Sequence, residues 1–140
     1  SATSVICWLV YQTYLLFPAT DSIWLFPIGL GLIIGLVNFL FDMFAISKGV
    51  LVVYNKSFAE GKSAFHISVQ YAPIFFTSFG VVYGFELQHL ITTTNEPDSA
   101  LRYGTMLLSV LVSPLTTEIF HWIFYRESCL KSYKHTEETI

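Results

Sequence analysis

Charged residues are scarce in this chain. They make up 12% of its 140 residues, whereas an ordinary soluble domain has roughly 25%. Apolar residues make up 54%, and the mean hydropathy is +0.59. This composition argues strongly against a water-soluble domain and favours a chain whose main partner is the lipid bilayer.

Basic residues are also few and form no cluster. Seven Lys and Arg leave a net charge of -3, whereas binding to a nucleic-acid backbone requires several cations on one face. We therefore expect no nucleic-acid partner. No Lys or Arg precedes Lys48, so the first apolar segment lacks the positive region of a cleavable signal peptide, and we expect it to be retained as a membrane span.

Motifs for covalent and metal chemistry are missing too. The two cysteines, Cys7 and Cys129, are far apart and form no CxxC unit, so neither a zinc knuckle nor a disulfide framework is indicated. The chain has no GxSxG, phosphate loop or HExxH motif. The sequence predicts no metal site and indicates no particular cofactor.

The stretch from Ile23 to Phe41 contains no charged residue and only one strongly polar one, Asn38. At 1.5 Å per helical residue it is long enough to cross a hydrocarbon core of about 30 Å. With 100° per residue, Gly31, Gly35, Asn38 and Asp42 fall on one side of the helix. Small and polar residues on one side predict a face that packs against other helices, because lipid can neither fill it nor hydrogen-bond to it.

Three further apolar segments complete the pattern. The predicted fold is all-α and integral to a membrane, a single domain built as a bundle of four transmembrane helices. The four predicted spans are residues 4–17, 23–44, 66–92 and 103–125. A short polar tail, residues 126–140, follows the last span.

The distribution of cations predicts the orientation of these spans. Six of the seven Lys and Arg lie in the segment after span two or in the tail, and Arg102 alone lies on the other side. Short loops rich in Lys and Arg stay on the cytoplasmic side. Both termini should therefore face the cytoplasm or an organelle matrix, with the chain in a cell inner or plasma membrane or an organelle inner membrane.

The third span carries a second pair of small residues. Gly80 and Gly84 repeat the GxxxG spacing of Gly31 and Gly35, which predicts a close contact between spans two and three. Glu86 lies on the other side of the helix. We expect Glu86 and His89 to be interfacial residues near the outer headgroups or a docking point for another subunit.

Two Glu-x-x-His units, Glu86/His89 and Glu118/His121, have the spacing seen in di-iron carboxylate bundles. Their depth argues against a shared metal site. In antiparallel spans the first unit lies near the outer end and the second near the inner end, roughly 15 to 25 Å apart at 1.5 Å per residue.

A different set of titratable and phenolic residues should share the inner level of the membrane. Its members are Asp42, His66, Glu118, His121 and Tyr125. Intramembrane carboxylates and histidines often mark a site, and here they would suit acid–base catalysis, proton relay or a mixed His and carboxylate metal site. The alternative is that they form structural hydrogen bonds and ion pairs, with Lys48 and Arg126 as partners.

These features favour a small accessory or assembly subunit of a larger membrane protein complex, with other membrane subunits as partners. The first alternative is a membrane enzyme that acts on a lipid or isoprenoid through Asp42, Glu118 and His121. The second is a proton-coupled transporter or channel formed by oligomerisation.

The orientation can be tested with a reporter placed in the loop of residues 93–102, near Glu96. We expect the reporter to be inaccessible from the cytoplasmic side in intact cells or organelles, because Lys48, Lys56 and Lys62 should retain the opposite side. Cytoplasmic accessibility at Glu96 would contradict the predicted depths of all the residues named above.

Overall fold

The computed structural model describes residues 2–18, 22–92 and 99–133, and these residues contain no β-strand. In chain order the helices are α1 (Ala2–Leu16), α2 (Leu25–Ser47), α3 (Lys56–Ala59), α4 (Ala64–Val69), α5 (Ala72–Thr92) and α6 (Ser99–Phe124).

Two of the helices are long and apolar enough to cross a membrane. They are Leu25–Ser47, with a mean hydropathy of 2.0, and Tyr103–Phe124, with 1.4. Ser4–Leu16 is an apolar but shorter helix. The two longer segments agree with the second and fourth predicted spans.

The predicted span 66–92 is interrupted near its start. Helix α4 ends at Val69 and α5 begins at Ala72. Pro73 has no N–H to donate to the carbonyl four residues earlier, and it disfavours helical geometry at the residue before it. Proline is tolerated in the first turn of a helix, where no intrahelical donor is needed, so the chain turns at residues 70–71 and restarts.

The four longer helices pack in the order α1, α2, α5, α6. Helix α2 has its most extensive interface with α5, α5 also packs on α6, and α1 packs on α2. The buried centre of the packing is formed by Phe26, Leu30 and Ile34 of α2. Since α5 lies between α2 and α6, it is covered on two sides.

Helices α2 and α5 meet through glycine. A Cβ atom added to Gly80 would lie 2.7 Å from the Cα of Gly31, and one added to Gly84 would lie 2.7 Å from the Cα of Pro27. A Cβ on Gly35 would overlap the Oγ1 of Thr77. Because backbone atoms stand opposite Gly80 and Gly84, a side chain at either position would force the two helices apart.

Residues 49–63 and 126–133, called the loop layer below, lie at the end of the molecule where α2 and α6 end. The buried side-chain oxygen Oε1 of Gln70 accepts hydrogen bonds from Ser57 N at 3.2 Å and Ser57 Oγ at 2.8 Å. The Tyr133 N–H donates to the Tyr54 carbonyl at 2.9 Å. These bonds join the two parts of the layer to each other and to the α4–α5 corner.

Polar side chains are buried and large apolar side chains are exposed over much of the structure. Ser109, Ser113, Thr117 and His121 recur at every fourth position of α6 and are each at most 4% exposed. The hydroxyls of Thr13, Ser78 and Thr117 donate to carbonyls one turn earlier in their own helices. These hydroxyls are therefore satisfied without water.

The glycine contact can be tested by a Gly80→Ala substitution. We expect the free energy of unfolding to fall by about 1–3 kcal/mol, because the added methyl group meets the Gly31 backbone. Thermal unfolding in mild detergent, followed by circular dichroism, measures the change.

Gly104→Ala is the control: no atom lies near its added Cβ, and alanine there should be neutral or stabilise α6 by up to about 1 kcal/mol. Equal effects of both substitutions would contradict the packing argument.

Candidate functional site

Asp42 is half-buried near the end of α2. Its Oδ2 accepts a hydrogen bond of 2.6 Å from the hydroxyl of Tyr71, at the corner between α4 and α5. A charged acceptor makes this a strong hydrogen bond. It ties the end of α2 to the start of α5, in addition to the glycine contact deeper in the same interface.

His121 is buried in α6, with 3% of its surface exposed. Its Nε2 lies 3.0 Å from the backbone carbonyl of Gln70, so Nε2 is protonated and donates. The Nδ1 atom is buried and has no hydrogen-bond partner among the described residues. The ring of Tyr125 lies 5.0 Å away, centroid to centroid. The imidazole thus connects α6 to the α4–α5 corner, and Gln70 extends the connection to Ser57.

Glu118 holds the start of the polar tail. One carboxylate oxygen accepts from Trp122 Nε1 at 2.7 Å. The other accepts from Ser128 Oγ at 3.1 Å and from Cys129 N at 2.9 Å. The chain turns back through Arg126, which has a positive φ of 54°. The carboxylate therefore stabilises the turn that follows α6.

His66 lies on the surface of α4, where its Nδ1 is 2.9 Å from Ser63 Oγ. Asp42, His66, Glu118 and His121 thus have four different sets of partners. In the described ranges, no three His, Cys, Asp or Glu residues come close enough to hold a metal ion. The structure does not bring the inner-level residues together around one reacting atom.

Lys48 and Arg126 are not the ion-pair partners expected for these carboxylates. The Lys48 ammonium lies over the ring of Phe44, 5.7 Å from its centroid. Within residues 2–18, 22–92 and 99–133, the ion pairs are Lys62–Glu60 at 2.6 Å and Lys131–Glu127 at 3.4 Å. Asp42 and Glu118 are instead satisfied by hydroxyl, indole and backbone donors.

Glu86 is buried, with 6% of its surface exposed, whereas His89 is exposed. We expected Glu86 to point outward because the glycine face of its helix lies on the other side. Helix α5 packs on α6 as well as on α2, so its surface away from the glycines is not all exposed. Glu86 follows Phe79 by seven residues, or two turns, and Phe79 lines a cavity that lies between α5 and three other helices.

This cavity has a volume of about 300 Å³ and is half open. Its walls come from all four longer helices and are almost entirely apolar. Asn38 of α2 and Ser113 of α6 are the polar residues in its lining. The lining residues are Ile6, Leu9, Ile34, Asn38, Phe75, Phe76, Phe79, Val110 and Ser113.

Sequence reasoning missed the cavity and the role of Tyr71. Asn38 was visible as the one strongly polar residue in an uncharged stretch, but nothing in the spacing predicts that Phe75, Phe79 and Ser113 stand around it. No local pattern predicts the hydrogen bond of Tyr71, because its partner Asp42 is 29 residues away in the sequence.

Comparison of the chain with models of known protein families, with curated proteins and with solved structures finds no match.

The role of Glu118 leads to a prediction about Cys129. Burial, and then the hydrogen bond to the Glu118 carboxylate, raise the pKa of the Cys129 thiol to about 11. The reactive thiolate is therefore rare at pH 8. In Glu118→Gln the negative charge is gone while the burial of the thiol remains. The pKa therefore falls only part of the way to its ordinary value, and alkylation of Cys129 by iodoacetamide should accelerate by about threefold.

Peptide mass spectrometry at pH 8 in mild detergent measures this rate. Glu127→Gln is the matched control, because Glu127 binds Lys131 and Tyr133 instead, and it should leave the Cys129 rate unchanged. Cys7 serves as an internal reference. An unchanged Cys129 rate in Glu118→Gln, or an equal acceleration at Cys7, would contradict the prediction.

Proposed function

We propose that the protein is a small integral membrane subunit that takes part in the assembly or support of a larger membrane complex. In this proposal α1, α2, α5 and α6 cross the bilayer, and both termini lie on the cytoplasmic or matrix side. The partners are lipid and other membrane subunits.

The exposed surface supports the membrane location. Large apolar side chains cover the outer side of α2 and most of α6. Each of these side chains would be about 1.5–3 kcal/mol more stable buried than exposed to water. In a bilayer they contact acyl chains, and this cost does not arise. Examples with at least 47% of their surface exposed are Leu32, Leu36, Leu40, Phe41, Leu107, Leu111, Leu115, Ile119 and Ile123.

The buried surface supports the same location. The inner side of α6 presents Ser109, Ser113 and Thr117. The hydroxyls of Ser109 and Thr117 are satisfied by carbonyls of their own helix. Small residues of this kind are typical of helix contacts inside a bilayer, where close backbone approach contributes more than apolar burial does. Helix α5 is not among the described helices that are apolar enough to pass as a span by themselves, but it lies between α2 and α6, which cover it on two sides.

The roles of the acidic residues favour a structural function over an enzyme. Asp42 binds Tyr71, and Glu118 binds the turn after α6. His121 bonds to a backbone carbonyl. An acid–base enzyme or a proton relay needs such groups to face a shared space or one another, and here each group stabilises a different junction.

The observation that carries the subunit role is the apolar surface of the loop layer. Val50 is 83% exposed, Val52 51% and Leu130 86%, and all three lie outside the helices. Their neighbours include charged residues, as expected for a surface beyond the hydrocarbon core. Exposed apolar groups at such a place are typical of a protein interface, so we assign the part of the loop layer that carries Val50, Val52 and Leu130 as the surface that binds another subunit.

The first experiment is a native mass measurement on the protein extracted in mild detergent from its own membranes. We expect most of it to emerge in a hetero-complex. Val50→Asp and Leu130→Asp, tested separately, should release it, because each places a charge in the proposed interface. The matched control Ala59→Asp adds the same charge at another exposed position of the loop layer and should leave the complex intact.

Two outcomes would contradict the proposal. One is a lone monomer or homo-oligomer in the unmodified protein. The other is equal loss of the complex in Ala59→Asp, which would indicate a general effect of charge. A homo-oligomer would instead favour the transporter or channel alternative, and an active monomer would favour the enzyme.

A further inference from the structure

We propose that the cavity between the four longer helices is a binding site for a neutral isoprenoid-like molecule that bears one hydroxyl or carbonyl oxygen. This inference rests on the cavity alone and does not depend on the subunit role. The proposed subunit interface lies in the loop layer, whereas the cavity lies among residues of α1, α2, α5 and α6.

The packing order of the helices creates the cavity. Helix α1 packs on α2 and α6 packs on α5, but the extensive interfaces of the described structure do not include one between α1 and α6. Ile6 of α1 and Val110 of α6 both line the cavity, yet they are 43% and 58% exposed. They mark its opening, which in a membrane would face the acyl chains.

Two polar groups stand in the otherwise apolar wall. The Asn38 Nδ2 donates to the Ile34 carbonyl at 2.9 Å, and the Asn38 Oδ1 makes no hydrogen bond within the described chain, so it can accept one. Ser113 is 1% exposed, and its Oγ lies 3.4 Å from the Ser109 carbonyl. That distance is long for a hydroxyl donor, so the Ser113 hydroxyl can turn to a better acceptor.

An acceptor and a donor on opposite helices suit a ligand with one oxygen. A ligand hydroxyl can donate to Asn38 Oδ1 and accept from Ser113, and a ligand carbonyl can accept from Ser113. The wall contains no charged side chain, so an ionised headgroup would be desolvated without a counter-ion. The ligand is therefore neutral at the buried end.

The lining and the volume of the cavity favour a particular kind of apolar chain in the ligand. Phe75, Phe76 and Phe79 line the cavity, and their rings offer large apolar surfaces against which the flat, methyl-bearing units of an isoprenoid can pack. A volume of about 300 Å³ matches the lower end of small-molecule sites. It is too small for a helix, whose diameter with side chains is about 10 Å. An isoprenoid alcohol or ketone can insert its polar end and leave its tail in the bilayer.

The test uses the whole chain in nanodiscs of dimyristoylphosphatidylcholine and a farnesol analogue that carries a diazirine and an alkyne. After irradiation, labelling should concentrate on cavity residues such as Phe79 and Ile34. Unlabelled farnesol should compete about three- to tenfold better than the hydrocarbon with the same carbon skeleton, as expected for one hydrogen bond.

Two pairs of variants test the site. Val110→Trp fills the opening and should abolish most of the labelling, whereas Leu108→Trp, at a similarly exposed position of α6 outside the lining, should not. Ser113→Ala and Asn38→Leu keep the cavity apolar and should remove the preference for farnesol over the hydrocarbon.

Retained labelling in Val110→Trp would overturn the proposal. So would equal competition by the alcohol and the hydrocarbon in the unmodified protein, since an acyl chain of the bilayer would then be the occupant. If Asn38→Leu does not fold, Ser113→Ala alone decides the role of the polar wall.

Discussion

The close approach of α2 and α5 is the contact on which the rest of the structure depends. A Cβ atom on Gly80 would meet the Cα of Gly31, and one on Gly84 would meet the Cα of Pro27, so the backbones of the two helices approach each other closely at both positions. Such surfaces make many van der Waals contacts at short distance. In a bilayer these contacts hold helices together, because an apolar side chain gains little by leaving lipid for another helix. With this pair in place, α1 and α6 can each pack on its outer sides and leave a cavity between them.

Hydrogen bonds to the α4–α5 corner then hold the end of the molecule where the loop layer lies. Tyr71 binds Asp42 of α2, and the carbonyl of Gln70 binds His121 of α6. The side chain of Gln70 binds Ser57 in the loop layer. Helix α2, helix α6 and the loop layer are thus all joined to Gln70 and Tyr71, at the break between α4 and α5. Titratable residues that suggested chemistry in the sequence stabilise these junctions, which is why the proposed function is structural and the proposed ligand site lies elsewhere.

Burial explains why Glu86 was misplaced. Its position on α5 relative to the glycine face follows from the helical period, but its environment depends on what covers the opposite side. That side of α5 is covered at Glu86, which is only 6% exposed. The same reasoning applies to Asn38, whose amide shares a cavity with Phe75 and Ser113 only because α5 and α6 pack as they do.

The sequence by itself determined that α2 and α6 form, because long apolar runs with very few charged residues favour helices whose backbone groups are satisfied within the segment. It also determined that Gly31 and Gly35 share one face, and that Gly80 and Gly84 share another, since that depends only on 3.6 residues per turn. Only the tertiary structure decided that Asp42 binds Tyr71, that Glu118 holds the turn at Cys129, and that a cavity lies beside Asn38. The physical reason is that each of these joins residues from different helices or turns, and no local period or propensity specifies which surfaces of separate elements will meet.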